Sequence, residues 1–316
     1  MAVRRRSGWR TKGERMRGAE VSGEAPVAGA PISWGVIEVL GWGYQMPADR
    51  VLREATSIGL EAMEAGPEAF LPPDPAEVSA ALSKHDLSLV GGFVPAVLHD
   101  PGVRREGLDL VKRRARFFSV AGADTLVLAA ATGSESYKEV VELDEAAWKE
   151  LFENLSRVEE IAARYGLALV LHSHYGTVIE TDEQLWRFLE GCDTGLCLDT
   201  GHLVVGGSVP IEVAERAADR VVHVHLKDVN RDLARRLGAR EIGFKEAARR
   251  GAFQPLGEGD VDVGRLLKLL EAAGYSGWYV LEQDTVVESE PKEGKGPVND
   301  VRKSLRFVEA CLGVPS

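Results

Sequence analysis

The stretch LVLHSHYGT, residues 169–177, ends an apolar run with two histidines one residue apart. If the run is a strand, His172 and His174 point to the same side, because side chains alternate with period two. The same texture recurs along the chain. Short β-rich runs at 27–35, 59–66, 87–94, 124–132, 167–174, 195–202, 220–228 and 277–284 alternate with helix-like segments. Several runs are nearly continuous Val, Leu and Ala, as expected of strands covered on both faces. The helix-like segments include 47–57, 103–121, 144–165, 182–190, 210–219, 262–273 and 297–312. Within 143–166 apolar positions recur every three to four residues, and Gly166 stands where a helix C-cap is wanted.

Eight β-then-α units predict a (β/α)8 TIM barrel, one α/β domain spanning 27–316. A doubly wound open sheet is disfavoured, since no G-x-G-x-x-G turn follows the first run. One interval is irregular. The 48 residues between the seventh and eighth runs are too long for a loop and a helix, and predict a helical excursion over the barrel mouth. Residues 1–26 differ from everything after them: the first eighteen carry seven Lys/Arg and one acid, without the apolar stretch of a secretory signal. They are expected to form a disordered basic extension, with Met16 as an alternative start.

Composition narrows the partners. A formal net charge of −11 argues against a large nucleic-acid-binding face. No apolar run approaches the ~18 residues of a membrane span. Cys192, Cys197 and Cys311 form no C-x-x-C pair and read as thiols of a reducing cytoplasm, with Cys197 a small core residue. The expected partner is a small molecule, with no nucleic acid and no membrane; oligomeric state is left open, a homo-oligomer included.

Barrel active sites lie at the C-terminal ends of the strands. The polar residues expected there are Glu64, His172, His174, Asp199, His202, His223, His225, Lys227, Glu282 and Asp284. Five of the seven histidines fall at the exits of runs five to seven, which points to a shared site. Imidazole with carboxylate and no thiolate suits Mn²⁺, Co²⁺, Fe²⁺ or Zn²⁺ rather than Ca²⁺. Each residue also has a plainer reading. His223, two residues deeper than His225, fits the barrel interior or a support behind the ligands; Asp284 fits a cap for the last helix or its approach loop; Lys227 fits a salt bridge to Asp228 or Glu282; Glu64 fits a solvated strand end. His99 is a weaker candidate on the same face, and His85 falls on the opposite one.

At these residues the chain resembles the xylose-isomerase-like TIM barrels, the sugar-phosphate isomerase/epimerase group, and within it the inosose (2-keto-myo-inositol) dehydratase branch. The matching stretches are APISWGV (30–36), EAGPEAFLP (64–72), HSHYGT (172–177), LCLDTGHL (196–203), HVHLKDV (223–229), PLGEGDVD (255–262) and VLEQD (280–284). They run in the family's order over 28–310. DTGH and HLKD identify only the barrel, whereas APISWG and H-x-H-x-G-T point to the dehydratase branch. The resemblance implies four metal ligands from strands five to eight. Asp199, His225 and Glu282 match three, and His172 stands where relatives carry a glutamate.

The resemblance further implies a cytoplasmic carbon–oxygen lyase of inositol or carbohydrate catabolism. It would use a divalent metal, Mn²⁺ or Co²⁺ by preference and Mg²⁺, Fe²⁺ or Zn²⁺ as other options. Its substrate would be a keto-cyclitol or keto-sugar, dehydrated by α-proton abstraction and β-elimination of water. Exchanging a carboxylate for His172 removes one possible base, which favours one-way elimination. The alternative is a ketose epimerase or isomerase using the same metal-stabilised enediolate. Base, acid and substrate contacts are expected among Glu64, His174, His202 and Lys227, whose pKa a nearby cation would lower. Trp34 is expected as an apolar wall against the substrate ring.

Overall fold

A computed structural model describes residues 26–134 and 140–313. Apart from Pro26, the basic N-terminal extension lies outside the described residues.

Eight barrel positions are filled in chain order by Val27–Gly29, Ala62–Met63, the two pieces Ser88–Leu89 and Phe93–Ala96, Thr125–Ala130, Ala168–His172, Gly195–Asp199, Val221–Leu226 and Tyr279–Leu281. All neighbouring pairs are parallel, and the eighth strand lies between the seventh and the first. The third position bridges its neighbours through the residues between its two pieces. The Val90 N–H donates to the Met63 carbonyl, while the Thr125 and Val127 N–H groups donate to the Val90 and Gly92 carbonyls. The break falls where the backbones crowd: a Cβ on Gly91 would lie 2.3 Å from the Thr125 carbonyl oxygen.

Alternation along the strands separates two fillings. Leu126, Leu128, Leu169, Leu171, Leu196 and Leu198 belong to the large core shared with the helices. Val127, Val170 and Cys197 form a small interior cluster between them. His172 pairs with Cys197 in register, and Asp199 with His225, so the polar residues form the layer above that cluster. The expected core placement of Cys197 describes where it lies.

The helices begin and end on local signals. Asp144 caps Glu145–Arg164 by accepting from the Ala147 N–H, and Gly166 follows the C-cap Tyr165 with φ of 74°. Thr181 and Gln184 form a capping box for Asp182–Gly191, an arrangement worth about 1 kcal/mol.

The 229–261 excursion contains helices Arg231–Gly238 and Phe244–Arg249, plus an antiparallel pair between Asp228–Val229 and Phe253–Gln254. It has its own apolar centre, in which Leu237, Ile242 and Phe253 pack with Tyr175 and Val205. Its return loop is gathered around one buried carboxylate. Asp228 accepts backbone N–H groups from Val229, Gly257, Gly259 and Val261 at 2.9–3.0 Å. Asp228 is therefore occupied by main chain, not by Lys227.

Candidate metal centre

The sixth strand ends at Asp199, which also caps the helix Thr200–Val205. Its Oδ1 accepts the Gly201 and His202 N–H groups at 2.9 and 2.8 Å, so Oδ2 is left facing the barrel axis. Around Oδ2 stand His172 Nε2 at 3.2 Å, Lys227 Nζ at 3.4 Å and His225 Nδ1 at 3.6 Å. Glu282 brings Oε2 to 2.6 Å from His225 Nδ1 and Oε1 to 3.1 Å from Lys227 Nζ. Asp284 completes the ring of acids around Lys227 at 2.8 Å. It does not cap the last helix, whose N-cap is Gly296.

The cluster is buried, and its charges decide its protonation. Burial opposes ionisation of Asp199, yet Lys227 and the imidazoles hold its carboxyl well below the usual range. Glu282 is likewise held at about 2 by Lys227 and His225, against its burial. Burial would neutralise Lys227, but Asp199, Asp284 and Glu282 outweigh it and raise the ammonium well above its ordinary value. Three carboxylates thus favour the charged ammonium. Burial, with His172 and Lys227 nearby, pushes His174 down to about 3. His202 is pushed down for related reasons, burial first and His174 second. These two rings are neutral at pH 7, with centroids 3.8 Å apart.

The donor set suits a divalent ion. His172, Asp199 and His202 bring ligand atoms within 4.8 Å of one another, as do Asp199, His225 and Glu282. His225 Nδ1 and Glu282 Oε2 are 2.6 Å apart, and against its burial the neighbouring Cys197, Glu282 and Glu64 raise His225 well above its ordinary value, so a ring proton bridges the two atoms where no ion does. Two such atoms repel unless a proton or a cation lies between them. Imidazole and carboxylate in this mixture fit a Mn²⁺-, Co²⁺- or Zn²⁺-type ion. Cys197 also lies close to His172 and His225, but burial pushes its thiol up to about 11, which disfavours it as a thiolate ligand.

Of the two histidines in HSH, His172 stands against Asp199, and His174 stands one step out beside His202. The His174 Nδ1–H donates to the Tyr175 carbonyl at 2.7 Å, which leaves its lone pair on Nε2. Glu64 comes from the far side of the barrel. Its Oε1 lies 3.0 Å from Nε2 of both His223 and His225, so it is buried and bonded rather than solvated.

A cavity of about 580 Å³ opens above His172, His225 and Glu282, with Glu64, His174 and Asp284 also in its wall. Trp34 is not in that wall. Pro31 and Gly35 bend residues 31–34 into a 3₁₀ turn, and the indole is fully buried with Nε1 donating to Glu54 at 3.0 Å. The aromatic wall is Phe93 instead, whose ring centroid lies 5.9 Å from that of His172 and 5.4 Å from that of His174. Its signal was the aromatic directly after Gly91-Gly92, where the strand restarts. His99 is half-buried and does not line the cavity. On the other side, Phe244 of the excursion stacks on His202 and Tyr175, and Phe253 lies 5.6 Å from Lys227 Nζ.

Over residues 52–311 the chain matches the family described as xylose isomerase-like TIM barrel. An inosose dehydratase of Geobacillus kaustophilus (strain HTA426) is 31% identical over 266 residues, 81% of this chain and 86% of its own. Among solved structures, apo 3-keto-D-glucoside 4-epimerase YcjR from E. coli superposes with a TM-score of 0.65 at 18% identity, covering 90% of this chain and 100% of its own. The IolI protein with a bound zinc atom gives a TM-score of 0.65 at 16% identity, covering 91% and 98%. The two structures share the fold. The family match covers most of the barrel, and the chain belongs to the xylose isomerase-like TIM-barrel family, alongside proteins named inosose dehydratase.

Proposed function

We propose that this protein is a divalent-metal-dependent hydro-lyase that dehydrates a keto-cyclitol or keto-sugar of the 2-keto-myo-inositol type. The observation that carries the metal is the convergence of buried imidazole and carboxylate ligand atoms from His172, Asp199, His225 and Glu282 at neighbouring strand exits. The substrate class is supported by the relatives named inosose dehydratase. His172, Asp199, His225 and Glu282 would hold the ion, Mn²⁺ or Co²⁺ by preference, and when bound it would act as a Lewis acid toward the ketone and acidify the α-proton.

The chain's own residues supply the rest. Neutral His174 lines the cavity and accepts the α-proton at Nε2. The C–H electron pair becomes the new C=C bond as the β C–O bond breaks. The leaving hydroxyl departs as water with a proton from the Lys227 side, where Glu282 and Asp284 connect that ammonium to the cavity. Phe93 offers an apolar face to the ring, and His202 backs His174 with Phe244 of the excursion stacked behind it. A single neutral imidazole pair on one flank suits elimination better than proton return to the opposite face.

Incubating metal-loaded protein with 2-keto-myo-inositol tests this reading. Growth of the dione absorbance is the expected result. Silence there, with turnover of a ketohexose to its epimer, would replace dehydration by epimerisation.

A further inference from the structure

The sequence places Glu64 among the proton-transfer and substrate groups, but its contacts assign it different work. We propose that Glu64 is a positioning residue: it locks His225 in the Nε2–H tautomer, so that the Nδ1 lone pair is held toward Asp199 and Glu282. The inference rests on the metal-centre reading above and adds to it how the ligand ring is set.

An ionised carboxylate only accepts hydrogen bonds. Glu64 Oε1 lies 3.0 Å from Nε2 of His225 and 3.0 Å from Nε2 of His223, so both rings must donate from Nε2. When His225 gives up one ring proton to bind an ion, the proton that Glu64 holds on Nε2 stays and the lone pair appears on Nδ1. For His225 that nitrogen faces Glu282 Oε2 at 2.6 Å and Asp199 Oδ2 at 3.6 Å. The carboxylate is itself fixed. Its backbone N–H donates to the Gly29 carbonyl, and His223, two residues below on the same inward face of the seventh strand, holds the shared oxygen from beneath. Strand two thus reaches across the barrel to orient a ring on strand seven. Carboxylate partners of metal-ligating histidines act in this way, and their loss typically costs ten- to a hundredfold in metal affinity.

The test uses Co²⁺ as the probe, with Glu64→Ala and Glu64→Gln in the full chain. Wild type is expected to bind Co²⁺ and to show a slowly exchanging Nε2 proton on His225 by ¹⁵N NMR. Glu64→Ala should bind Co²⁺ about 10–100-fold more weakly, and the activity lost at low Co²⁺ should return as Co²⁺ is raised. Glu64→Gln keeps the volume and one acceptor oxygen, so it should lose less and preserve the tautomer. Unchanged Co²⁺ affinity in Glu64→Ala, with activity that no Co²⁺ concentration restores, would make Glu64 a proton-transfer group and overturn the proposal. Failure of wild type itself to bind Co²⁺ would instead overturn the metal centre, and this proposal with it. If Glu64→Ala does not fold, the tautomer in Glu64→Gln and its Co²⁺ affinity decide alone.

Discussion

His172 and His174 are one residue apart, yet two different regions of the molecule hold them. His172 is the last residue of a strand, set in register against Cys197 and the layer of Asp199 and His225. His174 lies beyond the strand end, and the loop that carries it is fastened to the excursion. Arg240, itself in left-handed backbone with φ of 56°, makes two bonds to buried Glu180 at 2.5 and 2.7 Å and lies 4.5 Å from the Tyr175 ring centre. Glu180 in turn accepts the Gly176 N–H. Ligand-type residues are thus fixed by the sheet, whereas the proposed base is fixed by an ion pair between two loops. The difference teaches that the metal centre and the proton-transfer apparatus should be separable by mutation.

The largest effect should come from the strand-borne side. Asp199→Asn removes the charge facing the centre but keeps a good N-cap for the following helix. It should abolish stoichiometric metal binding and lower turnover by at least about 10²-fold, while unfolding stability stays within about 1 kcal/mol. Metal analysis and urea unfolding check both halves; full metal content in that variant would show that Asp199 is not a ligand.

Next comes the loop side. Arg240→Ala leaves a buried carboxylate without its guanidinium, at a cost of about 3 kcal/mol. Turnover should fall and KM rise while Co²⁺ affinity is kept. A parallel fall in Co²⁺ affinity would mean the two regions are one unit. Smaller again is the contrast between two aromatics. Phe93→Leu should raise KM roughly fivefold, the worth of about 1 kcal/mol of ring contact. Trp34→Phe should cost about 1–2 kcal/mol of stability through the lost bond to Glu54 and leave KM alone. The reverse pattern would restore Trp34 as the substrate wall.

These contrasts track what was legible in the sequence. The strand runs, their helices and the polar residues at the exits of strands five to eight could be read because a period of two fixes which side chains share a face. The features that escaped depend on contacts remote in the chain. Asp284 looked like a helix cap because nothing local shows Lys227, 57 positions earlier, within 2.8 Å of it. Asp228 looked like a partner for its neighbour, whereas backbone from 257–261 returns to occupy it. Trp34 was misplaced because the strand pattern was carried through Pro31, where the chain turns into a 3₁₀ segment. Phe93 was overlooked because the third strand is broken by close approach at Gly91, which no local periodicity reveals.

The central claim is that one divalent ion, held by His172, Asp199, His225 and Glu282, drives a dehydration. Stripping the protein with a chelator and adding Co²⁺ back while following metal occupancy and dione formation from 2-keto-myo-inositol tests it most directly. Activity should be lost on stripping and should rise in proportion to occupancy, reaching its plateau at one ion per chain. Full dione formation by the stripped, metal-free protein would contradict the account.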